Sequence, residues 1–192
     1  MMRLKVRVHP AGAVWLGACF LLSPSHIVLS ALAALAWHEA AHMAAMALCG
    51  VKRCVLELTP FGGMADAACY DRLAPGRKAV SALSGVLASA LGAWLCLRFA
   101  PDTPFWHALY LANASLAAFN LLPVWPLDGA RALLAGAERL GVERPAQRIL
   151  TGLAYALGLS MVVLGLYGAW LGHVNLSLLC AGPYLAYAAH AS

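Results

Sequence analysis

His38, Glu39 and His42 form an HExxH motif. On an α-helix, positions i and i+4 lie one above the other on a single face. Both imidazoles can therefore reach one metal ion, with Glu39 beside the metal's open position. In motifs of this kind the two histidines hold zinc and the glutamate is the general base of a peptidase. The setting is unusual, because the motif lies between the apolar runs Ile27–Trp37 and Met43–Cys49. A single histidine on an apolar face is most simply a satisfied core residue. Three ionisable residues at this spacing are costly in hydrocarbon, and such a cluster marks a functional site.

The elements that must carry these residues are membrane spans. The chain is 62% hydrophobic and only 11% charged, with a mean hydropathy of +0.76. Soluble domains carry about 25% charged residues, so this composition cannot cover a water-facing surface. The expected fold is an all-α polytopic membrane protein forming a single domain over residues 1–192. Hydropathy suggests about six transmembrane helices near 11–23, 26–49, 79–99, 105–122, 149–170 and 174–190. With both termini in the cytoplasm, twelve of the thirteen basic residues fall on the inner side and only Arg98 falls outside. That is the bias expected of a multi-pass protein of the bacterial cell membrane.

The pI near 9.0 then reflects topology. No basic stripe with interleaved aromatics appears, and no nucleic-acid partner is expected. Arg3, Lys5 and Arg7 before an apolar run resemble a signal peptide, and Leu16-Gly17-Ala18-Cys19 resembles a lipoprotein cleavage box. Pro10 and Gly12 interrupt that run, which favours a retained first span. The six cysteines form no CxxC pair, so neither a thiolate zinc site nor a redox motif is signalled.

A catalytic zinc takes three protein ligands and a water. Among the few carboxylates, Asp128 is the best third ligand. It follows Asn120, Pro123 and Pro126 at the inner end of the fourth span, where the prolines break the helix and Gly129 relaxes the backbone. Asp128 could instead cap the helix that begins there. Asn120 also has two readings: its amide could steady an oxyanion, or hydrogen-bond a neighbouring helix.

The HExxH motif followed by Asn120-x-x-Pro123-x-x-Pro126-x-Asp128-Gly129 resembles the site-2 protease family of intramembrane metalloproteases. The segments Glu57–Gly63 and Phe119–Gly129 are most similar to its sporulation branch, the stage IV sporulation protein FB type that processes pro-sigma-K. The likeness covers about residues 30–135. It implies one zinc ion per chain held by His38, His42 and Asp128, with Glu39 as catalytic base. Asn120, Pro126, Gly62 and Gly63 would contact a membrane-associated protein substrate. The family's Gly-Pro pair in the third span is replaced by Ser84-Gly85-Val86, and neither a PDZ nor a CBS domain is expected.

Residues 51–70 fit a small membrane-associated β-hairpin between the second and third spans, with Pro60–Gly63 as its turn. Its edge could accept an extended substrate by strand addition, or the segment could be a plain loop. The expected function is zinc-dependent intramembrane proteolysis near the cytoplasmic face of the lipid bilayer, with pro-sigma factors as the implied substrate class and a regulatory membrane protein as a possible partner. The rival is a membrane metal-ion transporter, since intramembrane His and Asp also mark ion pathways.

Overall fold

The computed structural model describes residues 3–8, 20–21, 23–51, 53–59, 62–65, 70, 72–173 and 175–190. They contain three strands and six helices: β1 (Arg3–Val8), α1 (Ser25–Leu48), β2 (Arg53–Thr59), β3 (Gly62–Ala65), α2 (Pro75–Phe99), α3 (Pro104–Asn120), α4 (Asp128–Arg139), α5 (Glu143–Trp170) and α6 (Leu176–His190). The chain divides into two compact units, Met1–Asn120 and Leu121–Ser192.

In the first unit the strands form one sheet in the order β1-β2-β3. β1 runs parallel to β2, with Arg3 opposite Arg53 and Val8 opposite Leu58. β2 runs antiparallel to β3, with Thr59 opposite Gly62. The expected two-stranded hairpin is thus part of a three-stranded sheet. Gly62 and Gly63 open β3 and pair with Thr59 and Leu58, instead of forming the turn. The alternation Arg3-Leu4-Lys5-Val6-Arg7-Val8 is a strand pattern of period two, in a segment expected to be a basic flank.

α1 follows Pro24 and ends in a Schellman closure. Gly50 takes φ +93°, a left-handed conformation that suits glycine. Its N–H reaches the Ala47 carbonyl, and the Val51 N–H reaches that of Met46, each at 3.0 Å. Arg77 Nη1 donates to the last open carbonyl, that of Cys49, at 3.1 Å. α2 starts at Pro75, in the first helical turn where a missing N–H costs nothing. It packs against both α1 and α3. Apart from Val86, its buried residues are small, Ser81, Ala82, Gly85, Ser89 and Ala93, which allow close helix approach. Trp37 Nε1 donates to the Ala88 carbonyl across α1 and α2 at 2.7 Å. Asn113 of α3 is buried, and its Oδ1 lies 2.8 Å from where a Cβ on Gly92 would stand.

In the second unit α5 packs along α6, and α4 against α5. Val124, Ala154, Leu185 and Ala189 form its core, with Trp125, Leu127 and Leu157 packed around them.

Among the described residues three helices are long and apolar enough to cross a membrane: α1, α2 and α5. This corrects the expectation of six spans. α3 has 17 residues and α6 has 15, short of the ~20 that an upright crossing takes. The proposed first span, 11–23, falls almost wholly outside the described residues. The long helices expose Leu29, Val80, Leu87, Leu97, Leu159, Val163 and Leu164. Apolar surface on this scale suits lipid contact, and the chain is an integral membrane protein.

Candidate metal centre

His38 lies near the middle of α1 and is 3% exposed, while His42, one turn on, is half-buried. Their rings meet edge to face with centroids 4.7 Å apart. Their Nε2 atoms are 3.1 Å apart. Two Zn–N bonds at a tetrahedral angle would hold such nitrogens about 3.3 Å apart. The spacing therefore fits a shared zinc ion.

α2 sets the direction of both rings. His42 Nδ1–H donates to the main-chain carbonyl of Ser81 at 2.7 Å. A carbonyl only accepts, so Nδ1 carries a proton, and Nε2 is the nitrogen left to face a metal. The Ser84 hydroxyl donates to the same carbonyl at 2.7 Å. His38 Nδ1 faces Ser89 Oγ at 3.0 Å, and Ser89 is fully buried. Outer contacts of this kind orient metal-binding imidazoles.

Gly85 makes the room. A Cβ built there would strike the imidazole of His42, with Cδ2 and Cε1 both at 2.7 Å and Nε2 nearer still. Gly85, Ser81 and Ser89 were absent from the residues singled out in the sequence, beyond the departure noted at Ser84-Gly85-Val86. The signal was present: small residues recur at 81, 85, 89 and 92, one face of a helix.

The other expected site residues are placed as follows. Glu39 is half-buried on α1 beside His38. Asn120 ends α3, and its Nδ2 donates to the Leu116 carbonyl of its own helix at 3.0 Å. In the second unit, Pro126 is half-buried in the segment between α3 and α4. Asp128 is the first residue of α4 and is 8% exposed, while Leu127 holds the N-cap position. A buried carboxylate needs a cation or hydrogen-bond donors. Gly129 follows because a Cβ there would meet the Leu122 carbonyl oxygen at 2.8 Å and that of Leu121 still closer. Gly62 and Gly63 lie in β3. The donor set available in the chain, two imidazoles and a carboxylate, is of the catalytic-zinc type.

Residues 72–165 match the model of Peptidase family M50. That stretch includes Asn120, Pro126 and Asp128 and begins after the HExxH motif. Among solved structures, the fold is similar to that of the Site-2 Protease from Methanocaldococcus jannaschii, with a TM-score of 0.74 and 21% identity, covering 100% of this chain and 91% of that chain. At this identity the likeness is one of fold. No curated protein matches the chain.

Proposed function

We propose that the chain is a zinc-dependent intramembrane protease that cuts a membrane-associated protein near the cytoplasmic face. The observation that carries this is the imidazole pair of α1, turned to a common point by its contacts with α2. The M50 match over residues 72–165 and the site-2 protease fold support it.

In this reading His38, His42 and Asp128 hold one zinc ion, each offering one ligand atom. Bound zinc would acidify a water and polarise the scissile carbonyl. Glu39 accepts the proton of the attacking water and then delivers it to the leaving amine. The side chain of Asn120 and the segment around Pro126 border the substrate. Gly62 and Gly63 belong to an edge strand, where an unwound substrate can add by main-chain hydrogen bonding. A substrate helix must unwind first, because its carbonyls are otherwise engaged.

The segments Glu57–Gly63 and Phe119–Gly129 favour pro-sigma processing in sporulation as the physiological role. The bias of basic residues supports cytoplasmic termini, and a regulatory membrane protein is a further partner in this reading.

The test is cleavage of a co-expressed membrane-associated pro-sigma substrate, comparing wild type with Glu39→Gln. The variant should bind zinc and lose cleavage. Cleavage near the wild-type rate would remove Glu39 from the mechanism. Zinc flux into vesicles without proteolysis would assign the site to transport.

A further inference from the structure

α5 has 28 residues, from Glu143 to Trp170. Its charged residues, Glu143, Arg144 and Arg148, all lie in its first two turns, and none follows through Trp170. The stretch from Arg148 to Trp170 is about 33 Å long at 1.5 Å per residue, close to the ~30 Å of hydrocarbon in a bilayer. Tyr167 and Trp170 close the far end with ring centroids 5.9 Å apart, as aromatics do at a membrane interface. Arg144 and Arg148, both exposed, therefore stand at headgroup level on the other side.

Helical spacing puts Arg144, Arg148, Tyr155, Leu159 and Val162 on one face of α5. Past the arginines, that face forms a groove of about 360 Å³ with α6, where Pro183 and Ala186 complete an almost wholly apolar lining. At the groove's end nearest Arg148, the Tyr155 hydroxyl lies 3.4 Å from His190 Nδ1. We propose that this face binds one anionic phospholipid, with its phosphate at Arg144 and Arg148 and an acyl chain in the groove. Guanidinium groups pair with phosphate oxygens through two N–H donors at once. Two of them favour a headgroup of net negative charge, since a zwitterionic lipid brings an ammonium group that they repel. The polar end of the groove faces the arginines, and its apolar length runs into the membrane, which is the order of parts in a phospholipid. One acyl chain suits this volume better than a helix, which is about 10–12 Å across with its side chains.

The experiment uses the full chain in nanodiscs of phosphatidylcholine with a minor share of phosphatidylglycerol, whose acyl chain carries a diazirine. Light-induced crosslinks should map to Leu159, Val162 and Ala186. In the double variant Arg144→Gln/Arg148→Gln their yield should fall about 10- to 30-fold, the effect of two basic residues at a membrane surface. Both changes are at exposed positions, so the variant should melt with wild type. Arg139→Gln removes a charge from α4 instead and should leave the yield near wild type. Leu159→Phe adds bulk at an exposed groove position and should lower the yield with both arginines in place. Equal labelling by a phosphatidylcholine carrying the same diazirine would overturn the inference, as would crosslinks spread evenly over the exposed faces of α1 and α2. An equal loss in Arg139→Gln would reduce the effect to diffuse charge and overturn it too. Disulfide-linked pairs of Leu159→Cys chains in place of lipid labelling would assign the face to a second copy of the chain, with the same consequence.

Discussion

Among the described residues, small residues close the contacts of α2 with its neighbours and that of α5 with α6, and they face unlike partners. Along α2, Ser81, Gly85, Ser89 and Gly92 meet His42, His38, Trp37 and Asn113. Along α5 and α6, Gly158 and Gly182 meet main chain to main chain. A Cβ on Gly158 would stand 2.7 Å from the Gly182 carbonyl oxygen, and one on Gly182 would stand 2.6 Å from that of Gly158. Gly165 lies against the side chain of Leu179, whose Cδ2 would stand 2.8 Å from an added Cβ. The groove beside this contact is lined by Tyr155, Leu159, Val162, Pro183 and Ala186 and is almost wholly apolar. The packing device is the same in both pairs. Its use depends on what the small residue faces: an imidazole that must be aimed, or a second backbone that must only come near.

The contrast predicts different losses from the same substitution. Gly85→Ala places a methyl group in the His42 ring, which cannot swing away without leaving the Ser81 carbonyl. Zinc binding should be lost and cleavage should fall by about 100-fold or more, since displacement of a reacting group by about 1 Å can cost that much. Bound zinc per chain and initial cleavage rate would check this together. Wild-type zinc content in Gly85→Ala would show that the cradle is no tighter than the α5/α6 contact.

Gly158→Ala should act on stability alone. Overpacking of this kind costs about 1–3 kcal/mol, read as a lower melting temperature at unchanged zinc content. Loss of zinc without loss of stability would erase the distinction between the two pairs. The smallest effect is expected for Trp37→Phe. It removes the Nε1 bond to Ala88, a contact near the ligands but on a half-exposed ring. A typical hydrogen bond contributes about 1 kcal/mol, so unfolding should ease by that amount while zinc affinity stays within a few fold.

The motif was legible because its chemistry and its period coincide. His38 and His42 had to share a face if α1 was helical, and that helix continues well beyond the motif on both sides. Asp128 was visible as a carboxylate after two prolines, and it lies buried at the first position of α4, with Leu127 at the cap position. The supporting partners were not legible, because a serine or glycine in an apolar helix carries no charge to betray it. Only their spacing was visible, and spacing alone does not distinguish the face toward His38 from the face that joins Gly158 to Gly182. The span count failed for a different reason. Hydropathy registers apolar content, while α3 is bounded by Pro104 and Asn120 and α6 runs only from Leu176 to His190. The basic residues of β1 pointed to a cytoplasmic flank, although their alternation with leucine and valine also describes the strand that pairs with β2.

The supports of the two histidines differ in how they are written in the gene. The oxygen that holds His42 belongs to the main chain of residue 81, and every amino acid at that codon carries it. Point mutation cannot delete it, and can only crowd it. The oxygen that holds His38 belongs to the side chain of Ser89, and a single base change can remove it. One histidine is therefore guarded by the polymer and the other by one codon. Drift should spare the hydroxyl at 89 while letting the small residue at 81 vary in kind.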